Sequence, residues 1–223
     1  MNKFDVLTIK KVKLKVEIWA DVICPWCYIG KRRFELALEQ FEHLKDIEIE
    51  WKSFQLNPNS KPYPGKSIHQ SLADKKGWTL EYAKQMNDHV TSVAKEVGLI
   101  YNFDKTIPAN TSDAHRLIQL AKKSGIGQMA EEQLFKAYFT DGKNIADHAT
   151  LVQLGTEIGL EKEKVSKMLS SNECADDVSR DSYEAVQLGI HSVPYFLISE
   201  KYSVSGAQQP EAFLDALQRA WLE

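Results

Sequence analysis

Residues 22–30 read VICPWCYIG, so Cys24 and Cys27 are separated only by Pro25 and Trp26. Two cysteines at this spacing can bind a zinc ion, close a structural disulfide, or carry electrons by cycling between dithiol and disulfide. The spacing alone does not distinguish these three kinds of site. Features elsewhere in the sequence are needed to distinguish them.

A zinc site lacks the further ligands that it needs. Structural zinc takes four ligands, usually from two close pairs of Cys or His. The chain has one other cysteine, Cys174, far along the sequence, and none of its six histidines lies three to five residues from another. We therefore expect no metal site, and disulfide exchange through the pair needs no bound cofactor.

Composition and charge are those of an ordinary globular protein. Of the 223 residues, 43% are hydrophobic and 26% are charged, and the net charge of −3 gives no electrostatic reason to expect nucleic acid. The N-terminus has no apolar run of the roughly 7–15 residues of a signal peptide, and no stretch approaches the roughly 20 of a membrane span. We expect a cytoplasmic protein with no nucleic-acid or membrane partner. In that reducing compartment a permanent structural disulfide is disfavoured.

Apolar periodicity predicts a strand, a helix and a second strand around the cysteines. LKVEIW (14–19) alternates as a strand does, GKRRFELALEQFEHL (30–44) repeats with helical spacing, and IEIEWKSFQL (47–56) alternates again. These three elements form the minimal parallel crossover unit.

The middle of the chain is predicted to be helical. NPNSKPYPG (57–65) is rich in proline and glycine and predicts a loop, after which every apolar periodicity to about Gly189 is helical. Glycines 98, 125, 142 and 159 fall where such helices would end. Strands return at SVPYFLIS (192–199) and KYSVSG (201–206), and a helix beginning at Pro210 closes the chain.

This order of elements predicts an α/β protein whose sheet domain is interrupted by an all-helical insertion. We expect the first part of the sheet domain at 14–60, the helical insertion domain at 61–185, and the second part of the sheet domain at 186–223. The central sheet is expected to be mixed.

The helix after the first strand assigns unequal roles to the two cysteines. Proline favours the first helical position, so Pro25 there makes Cys24 the N-cap. Its sulfur is then expected to be exposed and to face the unpaired helix amides, which stabilise a thiolate over a thiol. Cys27 lies one turn further in and is expected to be more buried. Cys24 is therefore the predicted nucleophile, and Cys27 the thiol that resolves the mixed disulfide.

A proline near the far end of the chain supports a redox site. Val193-Pro194 opens an apolar strand, where proline removes a ladder hydrogen-bond donor and needs a reason to be present. A cis peptide bond would be such a reason, and an edge strand is the alternative. We favour the cis form because a CxxC pair lies near the other end of the chain.

Five blocks of the sequence resemble the thioredoxin-fold DsbA family, and within it the FrnE-like cytoplasmic branch. They are DVICPWCYIGKRRFE (21–35), FQLNP (54–58), NTSDAHRLIQLA (110–121), LGIHSVPYF (188–196) and VSGAQ (204–208). The resemblance implies a thioredoxin fold, Cys24 and Cys27 as the redox pair, and Pro194 as the cis-proline facing them. The expected activity is that of a protein disulfide oxidoreductase or isomerase. Its partners would be protein or small-molecule thiols and disulfides, with glutathione among them.

The same resemblance leaves a second enzyme open. Kappa-class glutathione transferases and 2-hydroxychromene-2-carboxylate isomerases share the fold, but they typically carry serine in place of the first cysteine and lack the second. Both cysteines are present here, so disulfide chemistry is the preferred function. A glutathione-dependent isomerase or transferase is the alternative.

Other residues near the motif have two interpretations each. Trp26 and Val193 are the expected substrate-binding residues, although an aromatic side chain at position 26 can equally pack underneath the motif. Asp21 and Glu17 are candidates to influence the thiols or to relay a proton, or are simply a turn and a strand residue. We interpret Cys174 as a buried structural residue on the apolar stripe of a helix. We leave His115 outside the catalytic set, because it is at least as well explained as a helix-packing residue.

Overall fold

The computed structural model describes residues 14–61 and 65–223. The N-terminal segment 1–13 and residues 62–64 of the predicted loop lie outside the described residues. Within the described ranges, no helix has the length and apolar character that a membrane span requires.

Four strands and nine α-helices make up the described part of the chain. The strands are β1 (Leu14–Ala20), β2 (Ile47–Ser53), β3 (Tyr195–Ile198) and β4 (Tyr202–Ser205). The helices are α1 (Pro25–Glu39), α2 (Ile68–Lys76), α3 (Leu80–Glu96), α4 (Ser112–Lys123), α5 (Gly127–Phe139), α6 (His148–Glu157), α7 (Lys162–Leu169), α8 (Ala175–Gln187) and α9 (Pro210–Leu222).

The four strands form one mixed sheet in the order β2-β1-β3-β4. β1 and β2 are parallel and are joined through α1, which confirms the predicted crossover unit. β3 runs antiparallel to β1, and β4 antiparallel to β3. The mixed sheet and the helices between β2 and β3 confirm the predicted α/β class with a large helical insertion.

The second strand is shorter than its alternating pattern predicted. β2 ends at Ser53, whereas alternation continued to Leu56. The amide of Phe54 still donates to the Ala20 carbonyl (3.0 Å), but the amide of Leu56 donates to the Asp21 carboxylate (2.8 Å). The chain therefore leaves the sheet to bond with the segment that precedes the cysteines.

The two faces of the sheet are covered by different helices. On one face, Phe34 of α1, Phe196 of β3 and Phe213 of α9 form a buried aromatic cluster with ring centroids 4.7–5.7 Å apart. On the other face, Trp19 packs against Ala185 of α8. The sheet therefore lies between α1 and α9 on one face and α8 on the other.

The helical insertion has the predicted stops, with glycines of positive φ at positions 98, 125, 142 and 159. Cys174 is buried, as predicted, but its expected place on a helical stripe is wrong. It is the N-cap of α8 with φ of 66°, and its sulfur accepts a hydrogen bond from Lys123 Nζ at 3.4 Å. The spacing was misleading because Cys174 is buried like Val178 and Ala185 of α8, yet it lies one residue before the helix begins.

Candidate active site

The CPWC tetrapeptide forms the start of α1. Cys24 is the N-cap in an extended conformation (φ −88°, ψ 111°), and Pro25 takes the first helical position, as predicted. The Cys27 amide donates to the Cys24 carbonyl at 3.0 Å. Both cysteines are free thiols, so the site is described in its reduced state.

The surroundings of Cys24 differ from the sequence expectation in two respects. Only 4% of the residue is exposed, so the predicted exposure is wrong. Its side chain does not cap the helix; the thiol instead donates to the Val193 carbonyl at 3.6 Å. The reason for both differences is the approach of the Val193–Pro194 segment, which the local sequence around the motif does not reveal.

Cys27 is the more deeply buried of the two thiols, with no exposed surface. Burial raises its pKa well above that of a free thiol, and its hydrogen bond with Cys24 adds to the effect. The predicted order, with Cys24 nearer the surface and Cys27 deeper, therefore holds. At neutral pH the Cys27 thiol is protonated.

The Val193–Pro194 peptide bond is cis and lies against the motif. Pro194 is buried, Val193 is half-buried, and the amide of Gly206 donates to the Pro194 carbonyl at 2.8 Å. The fold thus brings together the first and fourth sequence blocks, which hold Cys24 and Val193, across 169 residues.

Gly30 is a site residue that the sequence analysis missed, although it belongs to the quoted nonapeptide. A Cβ at this position would lie 2.9 Å from Pro194 Cγ and 3.5 Å from the Cα of Ala207. Only glycine therefore allows α1 to approach the Pro194 ring this closely. A glycine inside a helical pattern was the available signal.

Gly30→Ala is expected to destabilise the protein and to displace Pro194. Alanine favours a helix interior by about 1 kcal/mol over glycine. Overpacking against a buried ring costs about 1–3 kcal/mol, so we expect a net loss of about 1 kcal/mol. Urea denaturation followed by circular dichroism measures this. Unchanged or increased stability would show that Pro194 moves freely and that the contact is not tight.

Aromatic residues of the insertion hold the motif from the other side. Tyr101 donates its hydroxyl hydrogen to the Pro25 carbonyl at 2.7 Å and stacks on Phe139 with ring centroids 4.6 Å apart. Tyr28 stacks on Phe135 at 4.8 Å. Trp26 is half-buried and packs against the core, so it retains an accessible portion beside Cys24. Tyr101 lies outside the periodic segments, and nothing in the sequence pointed to it.

A buried acidic residue in the segment before the thiols is bonded to a buried histidine of α4. Asp21 has no exposed surface and His115 only 1%. Asp21 Oδ1 and His115 Nε2 are 3.2 Å apart, and Asp21 Oδ2 accepts the Leu56 amide. Burial acts to lower the pKa of His115, but the bonded Asp21 carboxylate outweighs it, so the pKa lies above its usual range. The relation of His115 to Asp21 was not predicted.

Glu131 of α5 is a third buried titratable group, 2% exposed. Burial raises its pKa to about 7, opposed by the positive charges of His115 and Lys31. Glu17, by contrast, forms ion pairs with Lys15 (3.0 Å) and Lys52 (3.3 Å) on the sheet. Among residues 14–61 and 65–223, no three His, Cys, Asp or Glu side chains are grouped so as to hold a metal ion.

A family model described as the DSBA-like thioredoxin domain matches residues 15–218. The chain belongs to the DSBA-like thioredoxin domain family. This membership confirms the resemblance to the DsbA family and the thioredoxin fold that it implied. Placement of this DSBA-like protein in the FrnE-like branch stays a prediction.

Three comparisons show what this DSBA-like protein is similar to. A probable DsbA oxidoreductase from Streptomyces coelicolor superposes with a TM-score of 0.90 at 37% identity, covering 94% of this chain and 91% of that one. The uncharacterized protein YwbO of Bacillus subtilis is 27% identical over 91% of this chain and 94% of its own length. The cytosolic disulfide reductase DsbM of Pseudomonas aeruginosa, solved with GSH, has a TM-score of 0.65 at 14% identity, covering 94% and 100% of the two chains. The last similarity is one of fold alone.

Proposed function

We propose that this protein is a thiol–disulfide oxidoreductase that works through Cys24 and Cys27. The observation that carries the proposal is the reduced pair at the start of α1, with Cys24 facing the cis Val193–Pro194 segment and Cys27 buried behind it. Membership in the DSBA-like family supports it.

The unequal burial of the thiols gives each a role. The Cys24 thiolate attacks a substrate disulfide and forms a mixed disulfide, and Cys27 then attacks the Cys24 sulfur and releases the substrate as a thiol. The reverse sequence oxidises a substrate dithiol. The helix N-terminus favours negative charge on the Cys24 sulfur even without a direct capping bond.

Substrate is proposed to bind beside Cys24, where Trp26 and Val193 are half-buried. Val193 supplies a backbone carbonyl next to the reacting sulfur, and the accessible part of Trp26 supplies an apolar surface. Pro194 holds the Val193 carbonyl in place through its buried contact with α1. The substrates on this proposal are protein or small-molecule thiols and disulfides, including glutathione, and the reaction takes place in the cytoplasm. DsbM, a cytosolic reductase solved with GSH, is consistent with both points.

Replacing Cys27 by serine tests this function against the glutathione-dependent isomerase or transferase. Without a resolving thiol, Cys24 is expected to accumulate as a mixed disulfide with glutathione, and glutathione-driven reduction of insulin is expected to fall at least about tenfold. Mass spectrometry detects the adduct, and insulin turbidity gives the rate. Tight glutathione binding, with turnover of a small aromatic substrate that survives in Cys27→Ser, would favour the alternative enzyme instead.

A further inference from the structure

Asp21 and His115, here called the buried Asp–His pair, are placed deep in the core with almost no contact with water. The two come from distant parts of the chain, the segment before α1 and the first turn of α4. Removing a carboxylate and an imidazole from water is costly unless the groups are bonded to each other and to further partners. Two apolar residues would fill the same space without the free-energy cost of removing polar groups from water. The location of the Asp–His pair therefore indicates a chemical role.

The bonding of the pair is incomplete on one side. Both Asp21 oxygens have partners, the Leu56 amide at 2.8 Å and His115 Nε2 at 3.2 Å. The other ring nitrogen, His115 Nδ1, is buried and has no hydrogen-bond partner. Buried polar atoms are nearly always bonded. The pair therefore has an unused position at which a proton can be held.

Asp21 lies against Cys27, and both members of the pair are away from the surface. The backbone amide of Asp21 bonds to the Cys27 sulfur, and the Asp21 carboxylate is close enough to act on that thiol electrostatically. Cys27 has no exposed surface from which a proton could pass directly to solvent. Its proton has to be received by a neighbouring side chain before the sulfur can attack.

We propose that the buried Asp–His pair accepts the proton of Cys27 when Cys27 resolves the mixed disulfide. This inference rests on the proposed function and adds the proton acceptor to it. The Cys27 S–H bond breaks and its proton passes to the pair, a bond forms between the two cysteine sulfurs, and the bond from Cys24 to the substrate sulfur breaks. The substrate leaves with the electron pair as a thiolate and takes a proton from solvent. The protein dithiol is oxidised by two electrons and the substrate disulfide is reduced by two.

The form of the pair that can accept a proton is the Asp21 carboxylate bonded to a neutral imidazole. His115 takes up a proton as the pH falls through its raised pKa, which removes this form. Above that pKa the imidazole is neutral, so the form of the pair that can accept a proton is present. The charged and titratable groups facing the pair are Cys27, Glu131, Tyr138 and Asp181, and Lys31 and Lys122 face Glu131 in turn.

The two thiol steps can be measured separately with Ellman's disulfide, 5,5′-dithiobis(2-nitrobenzoic acid). Attack by Cys24 releases one thionitrobenzoate, and resolution by Cys27 releases a second. In a Cys174→Ser background, the variants Asp21→Asn and His115→Gln are expected to keep the first phase and to slow the second about tenfold or more at pH 7. In the parent protein the second-phase rate should level off at high pH. In the variants it should keep rising, about tenfold per pH unit, as Cys27 ionises unaided.

His148→Gln is the matched control for these variants. His148 is an exposed histidine that also bonds an aspartate of α4, Asp113, at 2.9 Å. Its loss should leave both phases unchanged. A second phase that is as fast in Asp21→Asn and His115→Gln as in the parent, with the same pH profile, would overturn the inference.

Two further outcomes keep the inference and the proposed function distinct. Should both variants fail to fold, the parent protein decides: a second phase that rises without a plateau overturns the inference, and a plateau supports it. Absence of any second release from the parent protein would contradict the proposed function itself.

Discussion

Cys24→Ser is expected to abolish disulfide exchange while leaving the fold intact. Serine lacks the sulfur that forms the mixed disulfide, and its hydroxyl does not ionise at neutral pH. The change removes the proposed nucleophile outright, an effect on the scale of about 10³-fold or more. Insulin reduction in the presence of glutathione should fall to the rate measured without protein.

Cys174→Ser provides the matched control, because it makes the same substitution at the third cysteine. Cys174 lies at the start of α8 and bonds Lys123, not the redox pair. This variant should retain insulin reduction. Activity that persists in Cys24→Ser and disappears in Cys174→Ser would show that Cys174, and not Cys24, supplies the reacting sulfur.

Glu131→Gln is expected to stabilise the protein, and increasingly so as the pH rises. Burial raises the pKa of Glu131 from 4.5 to about 7, so the folded state resists an ionisation that the unfolded chain accepts. Because folding raises the pKa of Glu131, its effect on the free energy of unfolding is most favourable below pH 4.5. This contribution is lost as the pH rises to 7 and beyond. At about 1.4 kcal/mol per pKa unit, glutamine should gain about 3 kcal/mol at pH 8 and little at pH 4. Urea denaturation at the two pH values measures this difference.

The adjacent residue, Glu132, gives a control of opposite sign. Partial burial acts to raise its pKa, but ion pairs with Arg32 and Lys31 outweigh this and hold the pKa low. Glu132→Gln should therefore destabilise the protein at pH 8 and have less effect at pH 4. If the two substitutions change the free energy of unfolding equally at pH 8, burial does not oppose the ionisation of Glu131.

The local course of the chain was predictable because it depends on short-range patterns. Alternation identified β1, and proline at a first helical position correctly placed Cys24 at the N-cap of α1. The parallel pairing of β1 with β2 followed from the crossover pattern. The end of β2 was missed because it is decided by a side chain, Asp21, that draws the Leu56 amide away from the sheet.

The chemistry of the site was predictable only in part, because it depends on contacts between distant segments. Cys24 is buried and bonded to Val193 across 169 residues, which no local pattern around CPWC encodes. The FQLNP and NTSDAHRL blocks were noted as family-like, yet their meeting at Asp21, through Leu56 and His115, emerged only in the structure. His115, a titratable residue inside a family-like block, was the available signal. The sequence of one helix, however, does not reveal which residue its side chain contacts.

A redox titration of the reduced protein in glutathione buffers tests the proposed function most directly. Free thiols are alkylated at each ratio of oxidised to reduced glutathione and counted at every cysteine by mass spectrometry. We predict that Cys24 and Cys27 lose their thiols together in one reversible two-electron transition, while Cys174 remains free. Independent modification of the two residues, or no disulfide between them at any ratio, would contradict the assignment of this pair as the redox centre.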